Sequence, residues 1–207
     1  MVIRGTTRVR CPACELEAEV ELVQSINTLK NPDDKKRLLA GELNVLACAS
    51  CGKRTQLAVA LLFHDPEADY TCQVVPGGDP AMLEAEATFS AVGVPGTQRL
   101  VPSQNALVEK LKILDAGLLD WAIEMTKVLL LASISELDRV LLFAALDRDK
   151  RVLRWVLFDE YGRAPEPVSS PLDAYDKLAA RPQQVTDRRI DRAWALDAVK
   201  ALIADAN

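Results

Sequence analysis

Cys11-Pro12-Ala13-Cys14 and Cys48-Ala49-Ser50-Cys51-Gly52 place four thiols in two pairs, each pair separated by two residues. Two such turns brought together supply four thiolates at the corners of a tetrahedron, the shell that zinc takes in structural sites. The 33 residues between the pairs exceed the usual ribbon gap, so an inserted element is expected there. Gly52 suits a tight knuckle, because without a Cβ it takes positive φ with no steric clash. The pattern therefore predicts Cys11, Cys14, Cys48 and Cys51 as ligands of a structural zinc ion. A closed shell of four thiolates leaves no position for water or substrate, so the metal itself implies no reaction.

Other reactive side chains are few. His64 is the sole histidine, so every Ser-His-Asp or Cys-His arrangement would have to use it. It falls in Phe63-His64-Asp65-Pro66, read as a turn, with Asp65 next to it as an acid that could orient the ring. Cys72 lies in a strand-like stretch and reads as a buried apolar filler, because nothing nearby in sequence would lower its pKa. No phosphate-binding loop, dinucleotide fingerprint, nucleophile elbow or zinc-protease helix occurs, and Gly77-Gly78 is too short to cradle a phosphate. No residue is assigned a catalytic or cofactor-binding role.

The composition sets bounds on partners and compartment. The chain has 207 residues, 25 Lys and Arg against 30 Asp and Glu, and a formal net charge of −5. That balance opposes non-specific attraction to phosphate backbones, which needs clustered cations. Four cysteines in metal spacing with one left over fit a reducing cytoplasm better than a disulfide framework. The N-terminal residues carry no apolar leader, and no apolar run approaches the length that spans a bilayer. A cytoplasmic protein with no membrane partner is the expectation.

The elements that must hold the cysteines read as β. Glu15, Glu17, Glu19 and Glu21 alternate with Leu16, Ala18, Val20 and Leu22, a period of two that predicts a half-buried strand with a solvated acidic face. Asn31-Pro32-Asp33-Asp34 opens a short helix with Asn as cap, Pro in the first turn and acids at the positive helix end, and Gly41 closes it. Strands are expected over 43–47, 55–63 and 70–75, with a stop at Pro76-Gly77-Gly78-Asp79-Pro80.

Farther on, a short helix is expected over 82–92, ended by Gly93-Val94-Pro95-Gly96. Ser103 can cap a longer run in which Leu107, Leu111, Leu114, Leu118, Ala122, Met125 and Leu129 recur at steps of three and four. Gly117 interrupts that run, so either a bend or two abutting helices is implied. A hairpin is expected from 140–146 and 151–158 around Asp147-Arg148-Asp149-Lys150, then a Pro-rich loop over 163–171. Helices over 172–180 and after a cap at Thr186 or Asp187 finish the chain, the last burying Ile190, Trp194, Ala198, Leu202 and Ile203.

The order Cys11-Pro12-Ala13-Cys14, Ser25-Ile26-Asn27, Leu38-Leu39-Ala40-Gly41-Glu42-Leu43-Asn44, Cys48-Cys51-Gly52 and Leu61-Leu62-Phe63-His64-Asp65-Pro66 resembles the CpXC domain family of bacterial and archaeal proteins. The likeness continues more loosely through 105–113 and 116–120, and its specific part lies in residues 11–76. Ala49 stands where that family's paired Cys-Pro-x-Cys motif would carry a second Pro. The resemblance implies metal binding and supplies no substrate or catalytic residue.

The fold class expected is α+β: a zinc-ribbon-like β-rich half over 1–78 with an inserted short helix, a short helix and linker over 79–102, and an α+β region over 103–207. Three functions follow from different features. A zinc-stabilised module for a protein partner fits the closed site and acidic balance. A nucleic-acid-binding ribbon would use Arg4, Arg8, Arg10, Lys53 and Arg54, although stacking aromatics are scarce near them. An enzyme would use His64 with nearby carboxylates.

Overall fold

Residues 4–23 build a two-stranded ribbon, its second strand alternating in burial. β1 (Arg4–Arg10) pairs antiparallel with β2 (Glu17–Val23), with Arg8 opposite Glu19 and Arg10 opposite Glu17. Ala18, Val20 and Leu22 are half-buried while the glutamates face solvent, as period two requires. The strand starts at Glu17, because Glu15 has φ 59° and cannot continue an extended chain. The computed structural model describes residues 3–93, 95–159, 161–182 and 185–204, and the chain divides into two units, 1–108 and 109–207. Val94, part of the stop expected after the 82–92 helix, lies outside the described residues.

The insert between the cysteine pairs is β3 (Ser25–Asn27) followed by α1 (Pro32–Leu39). Gly41 closes α1 at φ 69°, where its N–H donates to the Leu38 carbonyl and that of Glu42 to Arg37. Asn31 holds the cap position but makes no side-chain cap bond; its backbone at φ −138°, ψ 60° departs from cap geometry. A second hairpin follows, β4 (Val45–Ala47) with β5 (Arg54–Gln56). The expected continuous strand over 55–63 is broken: Gln56 ends β5, and β6 (Leu61–Asp65) belongs to a different sheet. Pairing partners decided this, since the two stretches bond to Val45 and Val74 respectively.

That second sheet has the order β3-β6-β7-β8, with β7 at Tyr70–Val74 and β8 at Thr97–Val101. β8 lies in the stretch expected to be linker. It runs parallel to β7, and α2 (Gly78–Val92) makes the crossover, as a parallel pair demands. α2 starts four residues earlier than expected, since Asp79 and Pro80 both suit a first turn. Its Met82, Ala85 and Phe89 pack with Val75 and Leu100.

The expected long helical run is two helices, α3 (Gln104–Asp115) and α4 (Asp120–Ser133), with Gly117 at φ 69° between them. Ser103 Oγ accepts from Ala106 N at 3.2 Å, the cap the sequence implies. In the second unit, α4 is buried on every side from Trp121 to Val128. It packs against α5 (Asp173–Ala179), α6 (Arg192–Ala204) and β9 (Val140–Asp147). β9 pairs with β10 (Val152–Phe158), and Phe143, Trp155, Leu141 and Leu153 complete the core with Ile123, Met125 and Leu131.

Two expectations fail in this unit. The Pro-rich stretch forms β11 (Glu166–Pro171), an edge strand on β10, and an edge is where strand prolines are tolerated. α6 begins at Arg192, capped by Asp191 Oδ1 accepting from Trp194 N at 3.1 Å; Asp187 instead accepts from Trp194 Nε1. α6 turns Ala195 and Val199 inward and leaves Ile203 exposed. The whole is mixed α+β, with a β-rich first half, helices in the middle and a further sheet toward the C-terminal end. Among the described residues, no helix is long and apolar enough to cross a membrane.

Candidate metal centre

Each cysteine pair forms the turn of one hairpin, and the two turns share a single backbone plan. Arg10 pairs with Glu17 across the first, and Ala47 with Arg54 across the second, so each turn holds six residues. Cys11 N donates to the Leu16 carbonyl and Cys48 N to that of Lys53, at 2.9 and 3.0 Å. Glu15 N donates to the Cys11 carbonyl and Gly52 N to that of Cys48, both at 2.9 Å. The fifth residue of each turn is left-handed: Glu15 at φ 59° and Gly52 at φ 71°.

This plan folds the backbone amides around the leading sulfur. The N–H groups of Ala13 and Cys14 reach Cys11, and the amide of Ala13 does most to hold that thiol below its ordinary range. The equivalent amides of Cys51 and Ser50 reach Cys48 and lower it to about 6. At Cys51 the Lys53 N–H also favours the thiolate, but burial and three neighbouring thiols outweigh it and push the group up to about 11. The second residue of each turn, Pro12 or Ala49, is not among the amides that reach the leading sulfur. Pro12 has no N–H to give, and Ala49 occupies the equivalent place without a bond lost or gained. The departure at Ala49 is therefore neutral for the sulfur shell.

The four sulfurs lie within 4.8 Å of one another. Cys11 Sγ is 3.6 Å from Cys51 Sγ and Cys14 Sγ is 3.5 Å from Cys48 Sγ, far beyond the ~2.05 Å of a disulfide. A tetrahedron with metal–sulfur bonds of ~2.3 Å has edges of about 3.8 Å, so these separations fit one metal ion at the centre. Cys11 and Cys48 are buried with Leu46, against Val9, Ala18, Val20 and Leu57, whereas Cys14 and Cys51 are exposed. The cluster thus roofs a small apolar core belonging to the two hairpins.

The remaining candidates are dispersed. His64 lies in β6, not in a turn, and its Nδ1 meets Thr71 Oγ1 at 3.0 Å. Strand alternation puts Asp65 on the opposite face, where it accepts from Thr28 Oγ1 and lies 3.6 Å from Lys35 Nζ. Asp65 therefore does not orient the imidazole. Cys72 is fully buried in β7, as its strand context implied. The arginines of the first hairpin face its glutamates. Arg10 pairs with Glu17 at 3.0 Å, Arg4 with Glu21 at 3.3 Å and with buried Asp34 at 2.6 Å, and Arg8 stands opposite Glu19. The exposed Arg4–Glu21 and Arg10–Glu17 pairs contribute little stability, but these glutamates offset the positive charge that a phosphate backbone would need on this hairpin.

The sequence reading missed the role of the amides at Ala13, Ser50 and Lys53, and the special conformation of Glu15. Only the equal loop length behind both cysteine pairs signals them.

A β-ribbon pair closed by four convergent cysteines within a mixed α+β chain defines a protein with a candidate structural metal site. The CpXC protein family matches residues 9–127, more than half of the chain and inclusive of both cysteine pairs, and the chain belongs to that family. No curated protein and no solved structure shows a significant match.

Proposed function

We propose that Cys11, Cys14, Cys48 and Cys51 hold a zinc ion and that the chain is a metal-stabilised module for binding a protein partner. The observation that carries the metal reading is the pair of equivalent knuckles with all four sulfurs within 4.8 Å. Zinc suits an all-sulfur tetrahedral shell, and such a shell, once filled, tethers two hairpins without offering a site to substrate. The binding role is supported by three features: the closed shell, a histidine whose neighbouring acid is engaged elsewhere, and basic side chains on the first hairpin that glutamates already hold.

Elemental analysis of protein purified without added metal tests the first part, with one zinc per chain expected. Chelation should lower the melting temperature, because binding energy at such sites, about 10–16 kcal/mol in small zinc domains, is also folding energy. A metal-free protein whose melting is indifferent to chelator would sink the reading. Affinity should also fall as the medium is acidified, since thiolates must be reprotonated for the metal to leave. Capture of the tagged chain from its own cells, with and without nuclease, tests the second part. A partner protein retained after nuclease is expected; enrichment lost on nuclease treatment would shift the assignment to nucleic acid.

A further inference from the structure

The β3-β6-β7-β8 sheet is only partly covered on one face. Strand alternation brings Leu62, His64, Thr71 and Gln73 to that face, because Leu62 pairs with Gln73 and His64 with Thr71. α2 packs over Leu100 on β8 through Met82, Ala85 and Phe89. A cavity of about 460 Å³ is left between the strands and the last turns of α2, walled by Phe89 and Val92. That volume falls in the ~300–1,000 Å³ range of small-molecule pockets.

The chemistry of this lining is selective. No Lys, Arg, Asp or Glu is among the described residues that line it, so an ionic group entering it would lose its water with no opposite charge in return. Its polar groups are amides, hydroxyls and one imidazole, set among Leu62, Phe89 and Val92. His64 Nδ1 is engaged by Thr71 Oγ1, and Nε2 makes no hydrogen bond among the described residues. Thr71 thereby orients the ring while Nε2 keeps one hydrogen bond to offer, its direction set by the tautomer. Leu62 and Val92 remain 40% and 68% exposed, large apolar surfaces at the cavity that nothing in the described chain covers.

We propose that this cavity is a binding site for an uncharged, largely apolar small molecule carrying one hydrogen-bonding group that meets His64 Nε2. The occupant is a small molecule because the cavity is bounded on one side by a helix and floored by strands, and its volume is that of a small-molecule pocket. The site uses none of the four clustered cysteines, so it stands or falls apart from the metal assignment.

The test uses the whole chain and the neutral fluorophore N-phenyl-1-naphthylamine, whose single N–H sits between two aromatic groups. Saturable one-to-one binding is expected, with the dye's emission rising. Leu62→Arg, and independently Val92→Arg, should abolish it while melting is unchanged, both positions being exposed enough to accept a charge. His64→Phe should weaken binding about three- to tenfold, the loss of one hydrogen bond. His64 is the chain's sole histidine, so its ring nitrogens give unmistakable NMR signals, and the Nε2 resonance should shift on titration. Absence of saturable binding, or binding untouched by both arginine substitutions, overturns the proposal. So does a dimer that Leu62→Arg dissociates in a chain that binds no dye, because that outcome assigns the face to a second copy.

Discussion

Glu15 adopts the left-handed conformation that Gly52 adopts in the matching knuckle, although it carries a Cβ. That conformation costs an L-residue about 1–2 kcal/mol relative to its ordinary regions, and glycine avoids the cost. Glu15→Gly should therefore stabilise the metal-loaded protein by about 1 kcal/mol, measured by thermal denaturation, while Gly52→Ala should destabilise it by a similar amount. A destabilised Glu15→Gly would mean that the two knuckles are not equivalent. Cysteines separate the same way. Cys48→Ser should lose stoichiometric metal, and Cys72→Ala should keep it, with any loss of stability coming only from a small cavity. Elemental analysis of the two variants decides this. The cysteine spacing made the ligand candidates readable, yet Glu15 looked like the first residue of a strand. Its φ is imposed by the Cys11–Leu16 and Glu15–Cys11 backbone bonds, which no local preference of glutamate announces.

At the scale of elements, hairpins and amphipathic helices were legible because their partners lie close in sequence. β9 with β10 is such a case, and so is the break at Gly117, where positive φ separates α3 from α4. β2 showed by its alternation, but its partner β1, with Val9 as its one large apolar residue, did not. β8 and β11 were not legible. Each is a strand only because a distant or proline-containing stretch finds an edge to pair with, β7 in one case and β10 in the other. Entry into β8 depends on Gly96, at φ 79°, where an added Cβ would lie 2.3 Å from the Asp69 carbonyl oxygen. Gly96→Ala should cost more than the ~1–2 kcal/mol of its backbone conformation, since the clash is with backbone that cannot rotate away. Gly5→Ala, on β1 with nothing within 4 Å of the new methyl, should be near neutral. Denaturant midpoints for the two variants give the comparison, and equal midpoints would show that the approach of Gly96 to Asp69 is dispensable.

At the scale of the whole molecule, the second unit is held by a buried chain of charges on α3 and α4. Lys127 Nζ lies 2.7 Å from Glu109 and 3.0 Å from Glu124, and Lys110 Nζ lies 3.3 Å from Glu124 and 3.2 Å from Asp120. Glu109 also accepts from Phe143 N on β9, and Lys110 donates to the Ile190 carbonyl. Burial opposes charge on Glu124, but Lys127 and Lys110 outweigh it and lower its pKa; burial likewise opposes Lys127, and Glu109 with Glu124 raise it. The depressed Glu124 contributes stability above the ordinary carboxylate pKa of about 4.3, lost as pH falls through the lower folded value. The raised Lys127 contributes below about 10.4, lost as pH rises through the higher folded value. Trp121, Trp155 and Trp194 all belong to this unit, so tryptophan emission should stay native between the ordinary carboxylate and lysine values, about pH 4.3 to 10.4, and change only as the pH passes beyond them. Lys127→Met should cost about 3–5 kcal/mol by leaving Glu109 buried without its cation and Glu124 with Lys110 alone. A midpoint unchanged from the parent would show that the network is not stabilising.

Sequence alone determined what depends on residue type and short spacing: two cysteine pairs able to share one metal, the family they mark, alternating strands, and helix ends at Gly41 and Ser103. Tertiary structure decided what depends on residues far apart in the chain. It made 57–60 a passage between sheets, made strands of 97–101 and 166–171, turned Asp65 away from His64 and set Thr71 beside it. The reason is physical: a backbone N–H or an imidazole takes whichever partner folding delivers, and that delivery is settled by burial and pairing across the chain rather than by its neighbours in sequence.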